Sequence, residues 1–317
     1  MKKTLSFIAK QRELLLGALI CIAAVFLEFS TGGIFLTKNN LLAIADTKSI
    51  DAFVVIGVTY LLISKEFDLS TASSMALGSM VCAWLMARGA PILVGVSGGF
   101  AVGAMIGGIN GLLVTQFKIP SFIATLGTMF AARSLTQVIG QGRPIANLPQ
   151  AFIDITNYRI AGLPWTLVLL VVVAILLQVF LKRQRSMFKL FFIGANERAA
   201  RMVGIKTNKQ RWVMFVVSSM IAVFAGLILT SRARSASPIA FQGMELRFIA
   251  ASVIGGASIN GGQGSILGAL LGHLVISLIG NTMTQLSISP YWEGVIFGSV
   301  LLTAAISDSF SRMKTTA

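Results

Sequence analysis

Apolar runs of about 15 to 25 residues, separated by short charged patches, recur along the whole of this chain. As a helix, a run of about 20 residues crosses the ~30 Å hydrocarbon core of a bilayer. Hydrophobic residues make up 55% of the 317 residues and charged residues 12%. That is more apolar surface than one soluble core can bury. The sequence therefore predicts an all-α, polytopic membrane protein.

Ten apolar segments can be placed in this pattern. They are residues 14–29, 52–64, 71–86, 92–115, 121–139, 163–181, 212–230, 248–254, 265–286 and 291–306. We interpret them as about ten membrane spans in a single transmembrane domain, residues 1–317. The eighth segment would rise only about 10 Å as a helix, so it cannot cross a bilayer alone. Either Glu245 and Arg247 lie in a protein-lined interior, or irregular backbone continues the crossing.

The orientation follows from Lys and Arg, which cytoplasmic loops carry in excess. With the N-terminus inside, about two thirds of the 26 Lys and Arg residues fall on the inner side. The basic residues before the first segment resemble the start of a signal peptide, but no clean small-residue cleavage pattern follows, so we expect a retained first span. An even number of spans then places both termini in the cytoplasm. The net charge of +15 thus indicates topology, not a nucleic-acid partner.

Two of the segments are interrupted or short in a similar way. An offset of 190 residues aligns residues 58–81 with residues 248–271 without a gap, which suggests an internal repeat. The interruptions are residues 65–70 (Lys-Glu-Phe-Asp-Leu-Ser) and residues 255–260 (Gly-Gly-Ala-Ser-Ile-Asn). Paired interrupted spans indicate a substrate pathway. The pathway candidates are Glu66, Asp68, Ser70, Ser258 and Asn260. The alternative is that Glu66 and Asp68 lie in an inner loop and pair with Lys65.

Five glycines recur at every fourth position of the fourth segment: Gly95, Gly99, Gly103, Gly107 and Gly111. One face of that helix is therefore almost bare backbone. Small residues at this spacing let helices approach closely inside a membrane. We expect this face to pack against other helices. Gly264, Gly268 and Gly272 extend the pattern to the ninth segment.

Catalytic and metal-binding motifs are missing from the sequence. It contains no G-x-x-x-x-G-K-[ST], H-E-x-x-H or G-x-S-x-G, and no His/Cys cluster with metal-ligand spacing. The single histidine, His273, lies in an apolar segment, where a structural hydrogen bond is expected more than proton relay. The chain is therefore predicted not to be an enzyme and to hold no metal or cofactor.

The longest polar stretch, residues 182–211, holds nine basic residues and one acidic residue, Glu197. Within it, Asn196 can cap the start of a short helix and Gly204 can end it. Glu197 suits the positive end of that helix. A capped helix on the inner face is suited to docking a soluble partner or anionic lipid.

This stretch, with I-G-A-N-E-R-A-A-R at residues 193–201 and Gly204, resembles the coupling segment of ribose-type ABC permeases. Residues 120–128, 142–145, 226–238 and 253–265 also resemble that family, so the likeness spans nearly the whole chain. The first interruption departs from it. The family usually shows G-x-I-D-L-S-V-G-S, whereas residues 65–73 are Lys-Glu-Phe-Asp-Leu-Ser-Thr-Ala-Ser, with less backbone freedom and more charge. Gln263 also replaces a commonly basic residue.

The resemblance implies the membrane core of an importer in a bacterial inner membrane. Two permease chains, identical or paralogous, would form the core in contact with lipid. Cytoplasmic ATP-binding subunits would bind ATP and Mg, and a periplasmic solute-binding protein would deliver a monosaccharide, a similar polyhydroxylated solute or a furanosyl signalling molecule.

The resemblance also assigns residues to partners. The ATPase-coupling residues would be Glu197, Ala199, Ala200, Arg201 and Gly204. The residues that dock the binding protein would be Arg143, Asp154, Arg232, Arg234 and Glu245.

Two other functions stay open from the residues alone. A stand-alone secondary transporter or channel would couple Glu66, Asp68 or His273 to an ion gradient. A membrane-embedded enzyme would need a buried nucleophile and base, which the motifs do not supply.

Overall fold

The computed structural model describes residues 2–183, 185–292, 294–296, 298–299 and 302–303. Over these residues the chain is helical apart from a short hairpin. In chain order the elements are α1 (Lys2–Ser30), α2 (Lys38–Ile63), α3 (Thr71–Ala87), α4 (Ile92–Thr115), α5 (Ser121–Gly140), α6 (Gln150–Ile153), a 3₁₀ turn (Asp154–Asn157), β1 (Arg159–Ile160), β2 (Leu163–Pro164), α7 (Trp165–Arg183), α8 (Arg185–Ala195), α9 (Glu197–Met202), α10 (Thr207–Ala233), α11 (Met244–Ile254), α12 (Ile266–Gln285) and a second 3₁₀ turn (Pro290–Trp292).

The prediction of an all-α membrane protein is confirmed. Within the described part of the chain, five helices are long and apolar enough to cross a membrane: α1, α4, α5, α10 and α12. Two shorter helices, α3 and part of α7, are also apolar. Seven of the 16 residues of the tenth predicted segment, residues 291–306, lie outside the described residues.

The apolar segments located α3, α4, α5 and α12 to within a residue at each end, but α2 begins much earlier than predicted. The segment was placed at residues 52–64, whereas α2 starts at Lys38 and is 26 residues long. Hydropathy finds only the apolar half of this helix. Its charged first half is helical too, and the side chain of Thr37 caps it by accepting from the amide of Asn40. From residue 49 to residue 63, every position is buried.

The eighth segment is a short helix, as predicted, although it starts four residues earlier. Helix α11 covers Met244–Ile254, 11 residues, or about 16 Å of rise. It includes Glu245, and only Phe248 to Val253 are buried. The chain then continues without helix until Ile266. Helix α7 likewise begins at Trp165 rather than at residue 163, because Leu163 and Pro164 form the second strand of the hairpin.

The helices divide into two compact units. The first comprises Met1–Lys65, Val172–Ala195 and Arg247–Ala317, and the second comprises Glu66–Val171 and Asn196–Leu246.

In the first unit, α12 packs against both α1 and α2. Leu27, Phe35 and Leu278 form an apolar cluster between these elements. His273 Nε2 lies 2.9 Å from the carbonyl oxygen of Lys48, so the histidine makes a structural hydrogen bond. Gly272 faces the carbonyl of Ala251, and an added Cβ there would clash. These contacts fix α12 against three neighbouring helices.

In the second unit, α4 packs closely against α10 and α3, and α3 also packs against α5. The glycine face of α4 forms these contacts. Gly95 and Gly99 lie against α3, whereas Gly103, Gly107 and Gly111 lie against α10. Because an added Cβ would meet neighbouring atoms at 3.0 Å or less at each of these positions, the helices could not approach so closely with larger residues.

Candidate functional site

The first interruption lies in the second unit and is held there by hydroxyls of α5. The amide of Phe67 donates to Ser121 Oγ at 3.1 Å, and the amide of Leu69 donates to Thr125 Oγ1 at 3.2 Å. Backbone that leaves a helix inside a membrane protein must find other partners for its donors. Two hydroxyls on successive turns of α5 provide them. The interruption is therefore an ordered, side-chain-supported break between α2 and α3.

A buried polar network continues from this break into α4. Asp68 Oδ1 accepts from the amide of Ser70 at 2.8 Å and from its hydroxyl at 2.6 Å. Asn110 Nδ2 donates to Ser70 Oγ at 2.8 Å, and Thr128 Oγ1 donates to Asn110 Oδ1 at 2.7 Å. Asp68, Ser70 and Asn110 are each exposed by 1% or less. The other carboxylate oxygen, Asp68 Oδ2, has no hydrogen-bond partner within the described residues.

Glu66, at the start of the same break, pairs with Arg211 of α10. The distance from Arg211 Nε to Glu66 Oε1 is 2.9 Å, and both side chains are largely buried. Arg211 Nη1 also lies 2.9 Å from Glu197 Oε2. Because Glu197 is the first residue of α9, one guanidinium joins the predicted coupling helix to the interruption. The alternative interpretation placed Glu66 in an inner loop with Lys65 as its partner. In the structure, Glu66 forms its ion pair with Arg211.

Helix α9 begins as the sequence predicted. Asn196 accepts from the amide of Ala199 at 3.0 Å, and Gly204 follows the helix with a φ of +80°, which favours glycine. Arg201 lies one turn after Glu197 and forms an ion pair with it. Ala200 is buried, whereas Ala199 and Arg201 are exposed. Helix α9 therefore packs against the protein through Ala200, whereas Ala199 and Arg201 lie on its exposed face.

The charges around Glu197 set its protonation. Partial burial raises the pKa of Glu197, but the hydrogen bonds and positive charges of Arg201 and Arg211 outweigh it. The pKa therefore lies below its ordinary value of 4.5. At neutral pH the carboxylate is charged and available to both guanidinium groups.

The second interruption lies in the first unit, against the end of α2. The amide of Gly262 donates to the carbonyl of Ile63 at 2.9 Å. Gly194, in the family-like segment, lies against both groups, and an added Cβ there would clash with the Ile63 carbonyl. This close approach explains a glycine at that position. Ser258 is buried and its hydroxyl accepts from the amide of Asn260 at 3.2 Å, whereas Asn260 is exposed.

Loops and helix ends of the second unit hold the residues predicted to dock a binding protein. Ile145 and Ala236 exchange backbone hydrogen bonds of 2.9 Å, which joins the loop carrying Arg143 to the loop after Arg232 and Arg234. Ser231 Oγ donates to the carbonyl of Phe152 at 2.8 Å, close to Asp154 in sequence. Arg143, Arg232 and Arg234 are exposed, and Asp154 and Glu245 are partly exposed.

Arg133 anchors the chain just before Glu245. Its guanidinium donates to the backbone carbonyls of Ala240 and Phe241. An arginine within a span needs such partners, because an isolated charge is costly there.

Two residues of these networks were not singled out from the sequence. The sequence marks Arg211 only as one of the basic residues that indicate topology. It marks Asn110 only as a polar neighbour of Gly111. The usable signal for Asn110 was a single amide within a glycine-rich apolar segment, where a polar side chain needs a partner. No comparable local signal marks Arg211, because its carboxylate partner Glu66 is distant in sequence.

Comparison with known proteins agrees with this architecture. A family model described as "Branched-chain amino acid transport system / permease component" matches residues 40–305. The ribose import permease protein RbsC of Haemophilus influenzae is 32% identical, over 97% of this chain and 95% of its own length. The D-allose transport system permease protein AlsC of Escherichia coli is 32% identical, over 92% of this chain and 89% of its own length.

A third relative is the L-arabinose transport system permease protein AraH of Escherichia coli, which is 31% identical over 88% of this chain and 85% of its own length. No solved structure matches the chain significantly. The family model's description refers to branched-chain amino acids and the relatives' names refer to sugars. All of them describe a permease component of a transport system. The chain therefore belongs to this family of transport-system permease components and is similar to the permeases for ribose, allose and arabinose transport.

Proposed function

We propose that this chain is the membrane-spanning subunit of an ATP-driven importer for a monosaccharide or a similar polyhydroxylated solute. The names of its relatives support the solute class, since three of them are permeases for ribose, allose and arabinose. The same relatives do not favour a stand-alone ion-coupled transporter. A furanosyl signalling molecule stays within the proposed class because it presents the same hydroxyl groups.

The observation that carries the proposal is the position of Arg211 between two functional segments. It pairs with Glu197 at the start of the capped helix and with Glu66 at the start of the interruption. If a soluble ATPase subunit binds and moves α9, Arg211 would transmit that movement to the break between α2 and α3. ATP binding in the partner subunits would shift the permease between inward-open and outward-open states through this connection.

The two interruptions form the proposed solute pathway. Asp68 and Ser70 are buried and hold each other in this conformation. Asp68 Oδ2 keeps an acceptor position without a partner in the described part of the chain, which a solute hydroxyl could fill once the break opens. Ser258 and the exposed Asn260 supply similar groups at the second interruption. The alignment of residues 58–81 with residues 248–271 as an internal repeat stays part of this proposal.

The finer topology also belongs to the proposal. It comprises ten spans with both termini in the cytoplasm of a bacterial inner membrane, and two permease chains, identical or paralogous. The loops carrying Arg143, Asp154, Arg232, Arg234 and Glu245 would then face a periplasmic solute-binding protein, and α9 would face the ATPase subunits. ATP and Mg would be bound by those subunits alone.

Reconstitution with the partner subunits tests the function. The permease is purified with its ATPase in proteoliposomes, and ATP hydrolysis and sugar uptake are measured with and without solute-loaded binding protein. We expect the loaded protein to stimulate hydrolysis and uptake to require ATP. Uptake that is driven by a proton or sodium gradient without ATPase would overturn the proposal. Glu197→Gln should lower uptake per ATP hydrolysed, whereas Ser97→Ala, at an exposed position of α4, should not.

A further inference from the structure

A cavity of about 590 Å³ opens beside α9, at the ends of the two spans α4 and α10. The residues that define its character are Leu112, Gln116, Arg201, Lys206, Lys209 and Trp212. All belong to the second unit. All six are exposed, so the cavity is open at the surface, between the C-terminal end of α4 and the N-terminal end of α10.

The lining of this cavity is strongly basic. Arg201, Lys206 and Lys209 contribute to it, and none of the described residues that line it is acidic. Arg201 is held in place by Glu197 and by Asn208, whose Oδ1 lies 3.1 Å from its guanidinium. The two lysines are exposed. The first residues of α10 add the positive end of a 27-residue helix. The nearest carboxylate, Glu197, already pairs with Arg201 and Arg211, so the cavity suits a phosphate better than an ammonium group.

An apolar strip leads away from the cavity along α4. Leu112, Ile109 and Met105 follow one another at helical spacing and are 45%, 44% and 53% exposed. On α10, Trp212 is 41% exposed and its indole N–H donates to the carbonyl of Gly108 at 3.2 Å. Tryptophan with one apolar and one hydrogen-bonded edge is typical of the membrane–water interface. The cavity itself is thus polar and basic, and the adjoining strip of Met105, Ile109 and Leu112 on α4 is apolar.

We propose that this cavity binds the headgroup phosphate of an anionic phospholipid, whose acyl chains lie along the strip of Met105, Ile109 and Leu112. The basic lining without an acidic residue favours an anionic over a zwitterionic headgroup. The apolar strip favours a lipid over free phosphate. The lipid would fill the space between the base of α9 and the spans. The site itself stands apart from the proposed transport function, and only its assignment to the cytoplasmic leaflet depends on it.

Fluorescence quenching of Trp212 tests this site. The other tryptophans, Trp84, Trp165 and Trp292, are replaced by Phe, and the full chain is reconstituted in phosphatidylcholine vesicles. Two vesicle preparations are compared. In one, a small fraction of the lipid is brominated phosphatidylglycerol, and in the other the same fraction is brominated phosphatidylcholine. We expect stronger quenching by the phosphatidylglycerol. Because each lysine near an anionic lipid contributes about fivefold to binding, Lys206→Gln/Lys209→Gln should lower the preference roughly twenty-five-fold.

Matched variants separate the headgroup from general charge. Lys206→Arg/Lys209→Arg keeps both charges and should keep the preference. Arg232→Gln/Arg234→Gln removes two charges at the opposite end of α10, about 40 Å away, and should also keep it. Added inorganic phosphate should not displace the lipid, because it does not reach the apolar strip.

Several results would overturn the proposal. They are equal quenching by the two lipids, an unchanged preference in Lys206→Gln/Lys209→Gln, and loss of quenching on addition of inorganic phosphate. If the ATPase subunit abolishes quenching, and the lysine variant also weakens ATPase binding in lipid-free detergent, the cavity belongs to the ATPase interface instead.

Discussion

Arg211 and Glu66 form an ion pair in which the side chains are only 13% and 7% exposed, with 2.9 Å between Nε and Oε1. Glu66 occupies the variable position of the motif G-x-I-D-L-S-V-G-S that the family usually shows at residues 65–73. The negative charge that this chain carries there has a matching positive charge on α10. This ion pair can be tested by substitution.

Replacing Arg211 with Met should destabilise the protein strongly. Glu66 would lose the guanidinium with which it pairs, and breaking a buried pair in this way costs about 3–5 kcal/mol. The Glu66→Gln/Arg211→Met double variant should lose less than the sum of the two single variants. Thermal unfolding in detergent measures both. Arg198→Met, which removes an exposed arginine from α9, is the control and should change stability by less than about 0.5 kcal/mol. Additive single effects would contradict the pairing.

The contribution of Glu197 to stability should depend on pH in one direction. Its pKa is lower in the folded protein than the ordinary 4.5, so the folded state favours the charged carboxylate. The stabilisation is therefore complete above pH 4.5 and is lost as the pH falls through the lowered pKa. Melting temperatures of the parent and of Glu197→Gln should differ at neutral pH and converge in acid. A difference that grows on acidification would show the opposite sign.

Adjacent glycines of α4 should respond differently to alanine. At Gly107 an added Cβ would clash with the backbone of Phe215 and Val216 in α10, whereas at Gly108 the nearest atom, of Trp212, is 3.9 Å away. Gly107→Ala should cost about 1–3 kcal/mol through overpacking. Gly108→Ala should be neutral or stabilising by up to about 1 kcal/mol, because alanine favours helix. Equal melting temperatures for the two variants would show that α4 and α10 are not in this register.

Asn110 should prove essential to the order of the first interruption. Asn110→Leu keeps the branched shape of the side chain but removes the bonds to Ser70 and Thr128, and weakening this buried network should cost about 1–3 kcal/mol. We expect a lower melting temperature and faster hydrogen exchange in residues 66–70. Thr128→Val removes one of the bonds and should have a smaller effect. Ser97→Ala, at an exposed position of the same helix, is the control. Unchanged exchange in Asn110→Leu would exclude this support.

Local signals predicted much of this protein. Uninterrupted apolar segments placed α3, α4, α5 and α12 closely, because hydropathy follows directly from residue type. The cap of α9 by Asn196 and its end at Gly204 depend only on neighbouring residues. The glycines of α4 predicted a packing face for the same reason. The same signals missed the first half of α2, because its charged and polar residues give no apolar run although they are helical.

The sequence by itself determined that the chain is a helical membrane protein, the bounds of α3, α4, α5 and α12, and the presence of a capped helix and two interruptions. Only the tertiary structure decided which residues those features contact. Glu66 pairs with Arg211, and Ser70 accepts a hydrogen bond from Asn110, although each partner is distant in sequence. Basic residues of α9 and α10 line one cavity together with the end of α4. The physical reason is that hydropathy and capping act between neighbours in sequence, whereas buried charges and amides are satisfied by whichever group the packing of helices brings near.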